Sequence, residues 1–201
     1  MRNPYPELEG QGITNQKVLK AIRSLPRELF VAPELSKNAY LNAPLPIDCS
    51  QTISQPFIVA YMTERLELKS TDKVLEIGTG SGFQAGVLAQ LVQKVFTIEV
   101  YEKLSFQAQQ VLNKLNFKNI KYQIGDGKLG WLEKAPFDKI IITALAQEIP
   151  AKLIEQLKNG GKMILPLEVN PGEEYLTLIT KLPIGKIQQE QLIQVRFVPL
   201  L

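Results

Sequence analysis

The sequence predicts an α/β fold, doubly wound around a mostly parallel sheet, and three observations lead there. From Val74 onward, short β-rich runs alternate with longer helical patterns, the order that joins parallel strands through helical crossovers. Lys139–Thr143 is so apolar that it suits a strand buried on both faces. A glycine-rich turn, Gly78-Thr-Gly-Ser-Gly82, joins the first of these strands to the first of these helices, which is the context a nucleotide-binding loop requires.

Taken in order, Val74–Ile77 reads as a strand, and an apolar helix follows the glycine turn to about Leu91. Val95–Ile98 is the next strand, a helix covers Glu102 to Leu115, Ile120–Ile124 is a third strand and Lys139–Thr143 a fourth. Pro150 sits where a helix start tolerates proline, and that helix is expected to run to Asn159-Gly-Gly161. Lys162–Leu165 and Leu176–Thr180 read as further strands, with Val195–Val198 closing the sheet. Residues 1–70 read as a helical, loop-rich segment packed on the core and covering the substrate and cofactor, with 71–201 as the core itself. No repeat, low-complexity tract or linker interrupts the chain, so 1–201 is expected to be one domain.

Composition removes several classes of function. The chain has no histidine, which excludes imidazole as general base, zinc ligand or activator of a serine or cysteine. No metal site is expected. Cys49 is the single cysteine, so no intrachain disulfide can form, which suits a reducing compartment. The N-terminal Met1-Arg-Asn-Pro-Tyr-Pro6 lacks the apolar core of a signal peptide, and no apolar run reaches membrane-spanning length. A cytoplasmic monomer is expected, with no membrane partner. The net charge is only +3, and lysines alternate with acids rather than forming a basic stripe, which argues against a nucleic-acid partner.

The cofactor is read from the turn. Gly78, Gly80 and Gly82 let the backbone bend tightly and approach a ligand that a Cβ would block. Glu99 follows Gly78 by 21 positions (99 − 78) at the end of the second strand, where a carboxylate can accept both hydroxyls of a ribose. A dinucleotide site favours G-x-G-x-x-G, with a pyrophosphate on the helix N-terminus. Here the spacing is G-x-G-x-G, preceded by Glu76. An acid beside the turn would repel pyrophosphate and suits the ammonium and sulfonium of S-adenosylmethionine. Asp126, in the Gly125-Asp-Gly127 turn after the third strand, falls where an adenine would lie. Each element alone has a plainer reading, as a topological turn, a solvated strand end or a turn cap. In this order they favour S-adenosylmethionine as donor and S-adenosylhomocysteine as product, bound by a Rossmann-like methyltransferase sheet.

Upstream stands Ser50-Gln-Thr-Ile-Ser-Gln-Pro56, which resembles the Q-T-I-S-Q-P signature of the protein-L-isoaspartate O-methyltransferases. Phe30-Val31, Leu45-Pro-Ile47, Val74–Gln84, Gly125–Trp131, Pro136-Phe-Asp138 and Val195–Leu200 are similar to that family in the same order. The resemblance implies methylation of the α-carboxylate of L-isoaspartyl residues in damaged proteins and peptides, after which the ester cyclises to a succinimide. It implies Ser54 as the active-site serine, Thr52 and Ile53 in the wall between cofactor and substrate, and Glu76, Gly78, Thr79, Gly80, Glu99, Asp126 and Gly127 around the cofactor. The chain departs from the family at Asp48-Cys49-Ser50, where Gly-His-Gly is usual, at Asn42, where an acid is common, and at Leu145, which interrupts an alanine run. A methyltransferase for another carboxylate or small molecule, and a non-catalytic binding relative, are the rival readings; a dehydrogenase is disfavoured by the glycine spacing.

Overall fold

The computed structural model describes residues 4–201; Met1–Asn3, part of the N-terminal stretch read above, lie outside them. The strands in chain order are β1 Leu45–Pro46, β2 Thr52–Ile53, β3 Lys73–Ile77, β4 Lys94–Glu99, β5 Ile120–Ile124, β6 Phe137–Ile142, β7 Leu157–Asn170, β8 Glu173–Lys181 and β9 Ile187–Gln194. The helices are α1 Glu7–Gly10, α2 Gln16–Ser24, α3 Pro56–Arg65, α4 Phe83–Ala89, α5 Glu102–Lys114 and α6 Ala151–Gln156. Seven strands form the main sheet in the order β5-β4-β3-β6-β7-β8-β9. β5 to β7 along that order are parallel; β8 and β9 return antiparallel as a meander. The chain builds outward from β3 to β5 and then crosses back to β6, so a crevice is expected at the carboxyl ends of β3, β4 and β6.

Strand alternation sends side chains to two apolar layers. Val74, Val95, Ile141 and Ile164 pack with Leu19 and Ile22 of α2, Val59 and Met62 of α3 and Val87 and Leu88 of α4. Leu75, Ile77, Phe96 and Ile140 pack on the other face with Phe137, Leu153 of α6 and Met163. The amino-terminal segment therefore shares a core with the sheet. α2 starts on Asn15, whose side chain accepts the amides of Lys17 and Val18, replacing bonds that the first turn of a helix lacks. Asn42, the departure noted above, accepts the amide of Phe57 at 3.0 Å and so caps the start of α3.

Two expectations need correction. The closing strand is Ile187–Gln194, and residues 195–198 are not a strand. β9 pairs on one side only and is largely exposed, so its Ile-Gln-Gln-Glu-Gln-Leu-Ile-Gln sequence carries no burial alternation. The sixth helix ends at Gln156, because Leu157 already pairs with Phe137 in the sheet. Asn159-Gly-Gly161 is an irregularity inside β7 rather than a helix stop, with the register shifting between Phe137 and Lys139.

The hairpin between β1 and β2 is strained and clamped. Cys49 and Ser50 both have φ of 56°, a region costly for side chains other than glycine. Asp48 holds this turn to α5, its carboxylate 2.9 Å from Lys103 Nζ and accepting from Gln107 Nε2 at 2.8 Å.

Glu76 is fully buried on β3, opposite Thr97 in the ladder. Thr97 donates to its Oε2 at 2.5 Å, whereas Oε1 has no hydrogen-bond partner. Desolvation, opposed by that bond, pushes the carboxyl up from 4.5 to about 8. The acid is thus neutral at pH 7 in the cofactor-free protein. As pH rises from 4.5 toward 8, the unfolded chain loses this proton while the native state keeps it, so native stability falls across that window. Glu76→Gln removes the titration. In urea unfolding of the cofactor-free protein, its advantage over wild type should grow from pH 4.5 to pH 8, reaching on the order of a few kcal/mol. A wild type that gains on the variant as pH rises would show an ionised, stabilised carboxylate instead.

Candidate active site

The crevice forms where the topology places it, and glycine makes it possible. Gly78 has φ of +90°, and a Cβ there would stand 2.5 Å from Thr143 Oγ1. The missing side chain lets Thr143, just past β6, donate to the Gly78 carbonyl at 2.7 Å. The Gly78 amide donates to Ile98 O at 2.9 Å, which ties the turn to β4. Glu99 completes the hold: its Oε2 accepts the amide of Gly80 at 2.8 Å and its Oε1 that of Tyr101 at 3.1 Å. Each carboxylate oxygen keeps a second lone pair, and Glu99 lines the cleft.

The cleft occupies about 550 Å³ including its mouth and is walled by Gly78, Gly80, Glu99, Gly127 and Thr143, with Thr52 from β2. Among the described residues, no lysine or arginine lines it. A fixed acidic acceptor without cationic neighbours fits the ribose diol of S-adenosylmethionine and offers nothing to a pyrophosphate. Gly127 has its own reason: a Cβ there would lie 2.2 Å from Ile77 Cγ2, under the cleft floor. Among the described residues, no cluster of histidine, cysteine, aspartate or glutamate could hold a metal ion.

Two further spaces share lining residues with the cleft. A recess beside it is lined by Thr52, Ile53, Ser54, Thr79, Phe83 and Thr143. A surface groove beyond is lined by Pro44, Thr52, Ser54, Gln55, Arg196 and Phe197. Thr52 borders all three spaces, and Ser54 borders the recess and the groove. Among the described residues, no ionisable side chain lines the recess. In the groove, the one ionisable side chain among the described residues is the cation Arg196.

The structure thus brings Thr52, Ile53, Ser54, Gly78, Thr79, Gly80, Glu99 and Gly127 around one connected space. It does not bring Glu76 or Asp126 into its lining. Glu76 lies beneath the turn and reaches Thr79 only through Thr97, whose hydroxyl is 2.6 Å from that of Thr79. Asp126 is exposed and accepts the amide of Lys128, capping the short turn that follows. Sequence reasoning missed Thr143, Arg196 and the role of the tail. Val198 and Leu200 line the cleft because Leu145 donates to Val198 O and accepts from the Leu200 amide, both at 2.8 Å. The signal for Thr143 was present, as a polar residue ending an apolar strand; Leu145 takes part through its backbone, which no side-chain pattern reveals.

Residues 5–201 match the family model described as protein-L-isoaspartate(D-aspartate) O-methyltransferase. The chain is 49% identical over 195 residues to the protein-L-isoaspartate O-methyltransferase of Parvibaculum lavamentivorans, covering 96% of this chain and 87% of that one. It is likewise 49% identical over 205 residues to that of Vibrio cholerae, covering 100% and 97%. Among solved structures, a protein-L-isoaspartate O-methyltransferase superposes with a TM-score of 0.87 at 27% identity; 98% of this chain is covered, which spans 64% of that longer one. A Plasmodium falciparum beta-aspartate methyltransferase in complex with S-adenosyl-L-homocysteine gives a TM-score of 0.85 at 25% identity, covering 100% and 99%. With nearly its whole length matched by the family model and by relatives close to half identical, this chain belongs to the protein-L-isoaspartate (D-aspartate) O-methyltransferase family.

Proposed function

We infer that the protein transfers the methyl group of S-adenosylmethionine to the α-carboxylate of L-isoaspartyl residues in damaged proteins and peptides. Beyond family membership, one observation carries this reading: among the described residues, the recess joining cofactor cleft and surface groove contains no ionisable side chain. The enzyme therefore offers no base at the point of transfer, and the acceptor must arrive already ionised. A carboxylate, with an ordinary pKa of ~4, meets that condition at neutral pH; an alcohol or amine does not.

When bound, S-adenosylmethionine supplies an electrophilic methyl group on a cationic sulfur. Glu99 is assigned to the ribose, and Gly78, Gly80 and Gly127 to the close backbone approach. Ser54 is assigned to the acceptor, its hydroxyl donating to one carboxylate oxygen so that the other faces the methyl group. Thr52 and Ile53 wall the line of transfer and exclude water, so the catalytic contribution is orientation rather than proton transfer. Arg196 gives the groove a positive edge for the entering anion. Residues 1–70 act as the cover over substrate and cofactor, and 71–201 as the core. The half-buried single thiol of Cys49 and the mild charge fit a monomer of the cytoplasm without a nucleic-acid partner. No helix among the described residues is long and apolar enough to cross a membrane.

Tritiated methyl transfer to an L-isoaspartyl peptide and to its L-aspartyl twin tests the reading. Label should enter the first and not the second; equal labelling, or labelling only of a free small acid, would sink it. Glu99→Ala should weaken S-adenosylhomocysteine binding in calorimetry by roughly 1–3 kcal/mol, because a charged acceptor is lost. Ser54→Ala should lower turnover by about tenfold, the worth of one orienting hydrogen bond, while cofactor affinity changes little. In wild type, kcat should show no ionisation of an enzyme base between about pH 6 and 8; a rate that rises through pH 7 on a single deprotonation would contradict direct transfer.

A further inference from the structure

Arg27 opens a short helical turn in the amino-terminal segment, far in sequence from every motif of the site. Its side chain is fully buried, and among the described residues no carboxylate pairs with it. A guanidinium in that position needs other acceptors to replace water. Four backbone carbonyls serve. Nη1 donates to Ala39 O at 2.5 Å and to Leu41 O at 3.4 Å; Nη2 donates to Ala43 O at 3.2 Å and to Ser54 O at 2.9 Å. Its Cζ lies 5.6 Å from the ring centroid of Phe83, a distance at which a cation is attracted to an aromatic face.

These partners belong to two sides of the reaction. Ser54 stands on the acceptor side, where its residue borders both recess and groove. Phe83 is the first residue of α4, directly after the glycine turn, and lines the same recess. Ala39, Leu41 and Ala43 form the loop that carries Asn42, the cap of α3. One rigid, planar fork thus reaches the acceptor strand, the loop beside it and the helix that leaves the cofactor turn. Burial pulls the guanidinium down only to about 10, so it is charged at neutral pH.

We propose that Arg27 is a positioning residue for methyl transfer, acting through the carbonyl of Ser54 and the ring of Phe83 to set where the Ser54 hydroxyl stands relative to the glycine turn. This rests on the reading of Ser54 and the cofactor cleft given above. The cleft itself is held independently, by Glu99, Ile98 and Thr143 acting on the glycine turn. Loss of Arg27 geometry should therefore misplace the acceptor without emptying the cofactor site. Lysine keeps the charge but concentrates three donors at one point, so it cannot reproduce a fork spread over four carbonyls.

The test is a double-mutant cycle of Arg27→Lys and Ser54→Ala, with Arg27→Gln as a second variant. The probes are S-adenosylhomocysteine, whose calorimetric binding counts folded sites, and an L-isoaspartyl peptide, on which kcat and KM are measured per binding-competent site. Arg27→Lys should lower kcat at least tenfold while S-adenosylhomocysteine affinity stays within threefold. In the Ser54→Ala background the same substitution should lower kcat by less than threefold, because residues acting through one another are not additive. A purely structural arginine would reduce thermal stability yet leave kcat per folded site within twofold of wild type; that result, or full additivity in the cycle, overturns the proposal. If neither Arg27 variant folds, Arg27 is a requirement of the fold and the positioning role is likewise overturned. Absence of transfer by wild type to the isoaspartyl peptide would instead reject the functional reading itself.

Discussion

The hold of Glu99 on the glycine turn is the constraint from which the site follows. A carboxylate at the end of β4 accepts one amide from the turn after β3 and one from the start of its own exit loop. On the other side of β3, Thr143 donates to the Gly78 carbonyl, in a space that exists only because residue 78 has no Cβ. The turn is therefore clasped from both neighbouring strands at the point where strand order reverses. A carboxylate here does two things together: it satisfies two backbone amides at and beside the turn, and it keeps further lone pairs beside the cleft it lines.

The wall formed by residues 52–54 is built by other means. Thr52 and Ser54 stand on a two-residue strand and its exit, with no wide sheet to fix them. Side chains hold this backbone instead: Arg27 at Ser54 O, Asn42 at the start of α3, Asp48 at the hairpin tip. The left-handed Cys49 and Ser50 show that the tip is held against a local preference, which only surrounding contacts can enforce. An exposed ion pair such as Asp48–Lys103 contributes little alone, so the added bond from Gln107 and the packing of β1 on β2 share that load. A stiff glycine turn thus faces a wall held by a few polar anchors.

That division explains what could be read in the sequence. Glycines and an acid at a strand end have positional meaning, so Gly78, Gly80 and Glu99 were legible together with the parallel strands. Glu76 was read at the turn, and the structure places it beneath the turn, outside the cleft lining. It alternates with Leu75 and Ile77 along β3, and that period puts it under the turn, against Thr97, where burial neutralises it. Asp126 was read as a ligand contact; in the structure one of its oxygens accepts the amide of Lys128, two residues on, and the side chain stands exposed between Gly125 and Gly127 of the cleft wall. β9 escaped because an edge strand with exposed glutamines shows no alternation, and α6 was overrun because paired glycines mark an irregular strand as readily as a helix end. Arg27, Thr143 and the tail work through backbone carbonyls distant in sequence, and no local pattern encodes such partners.

The cleft has one wall from residues 51–52 and another from Val198–Leu201, the latter zipped to Leu145. During synthesis the chain emerges amino-terminus first, and domains begin to form as they emerge. The turn, Glu99 and the serine loop are all made long before the residues that close the wall against them. A nascent chain can therefore possess every polar contact of the donor site and still lack its enclosure. Enclosure of the cleft therefore waits on residues 198–201, which lie far along the chain from the turn they cover.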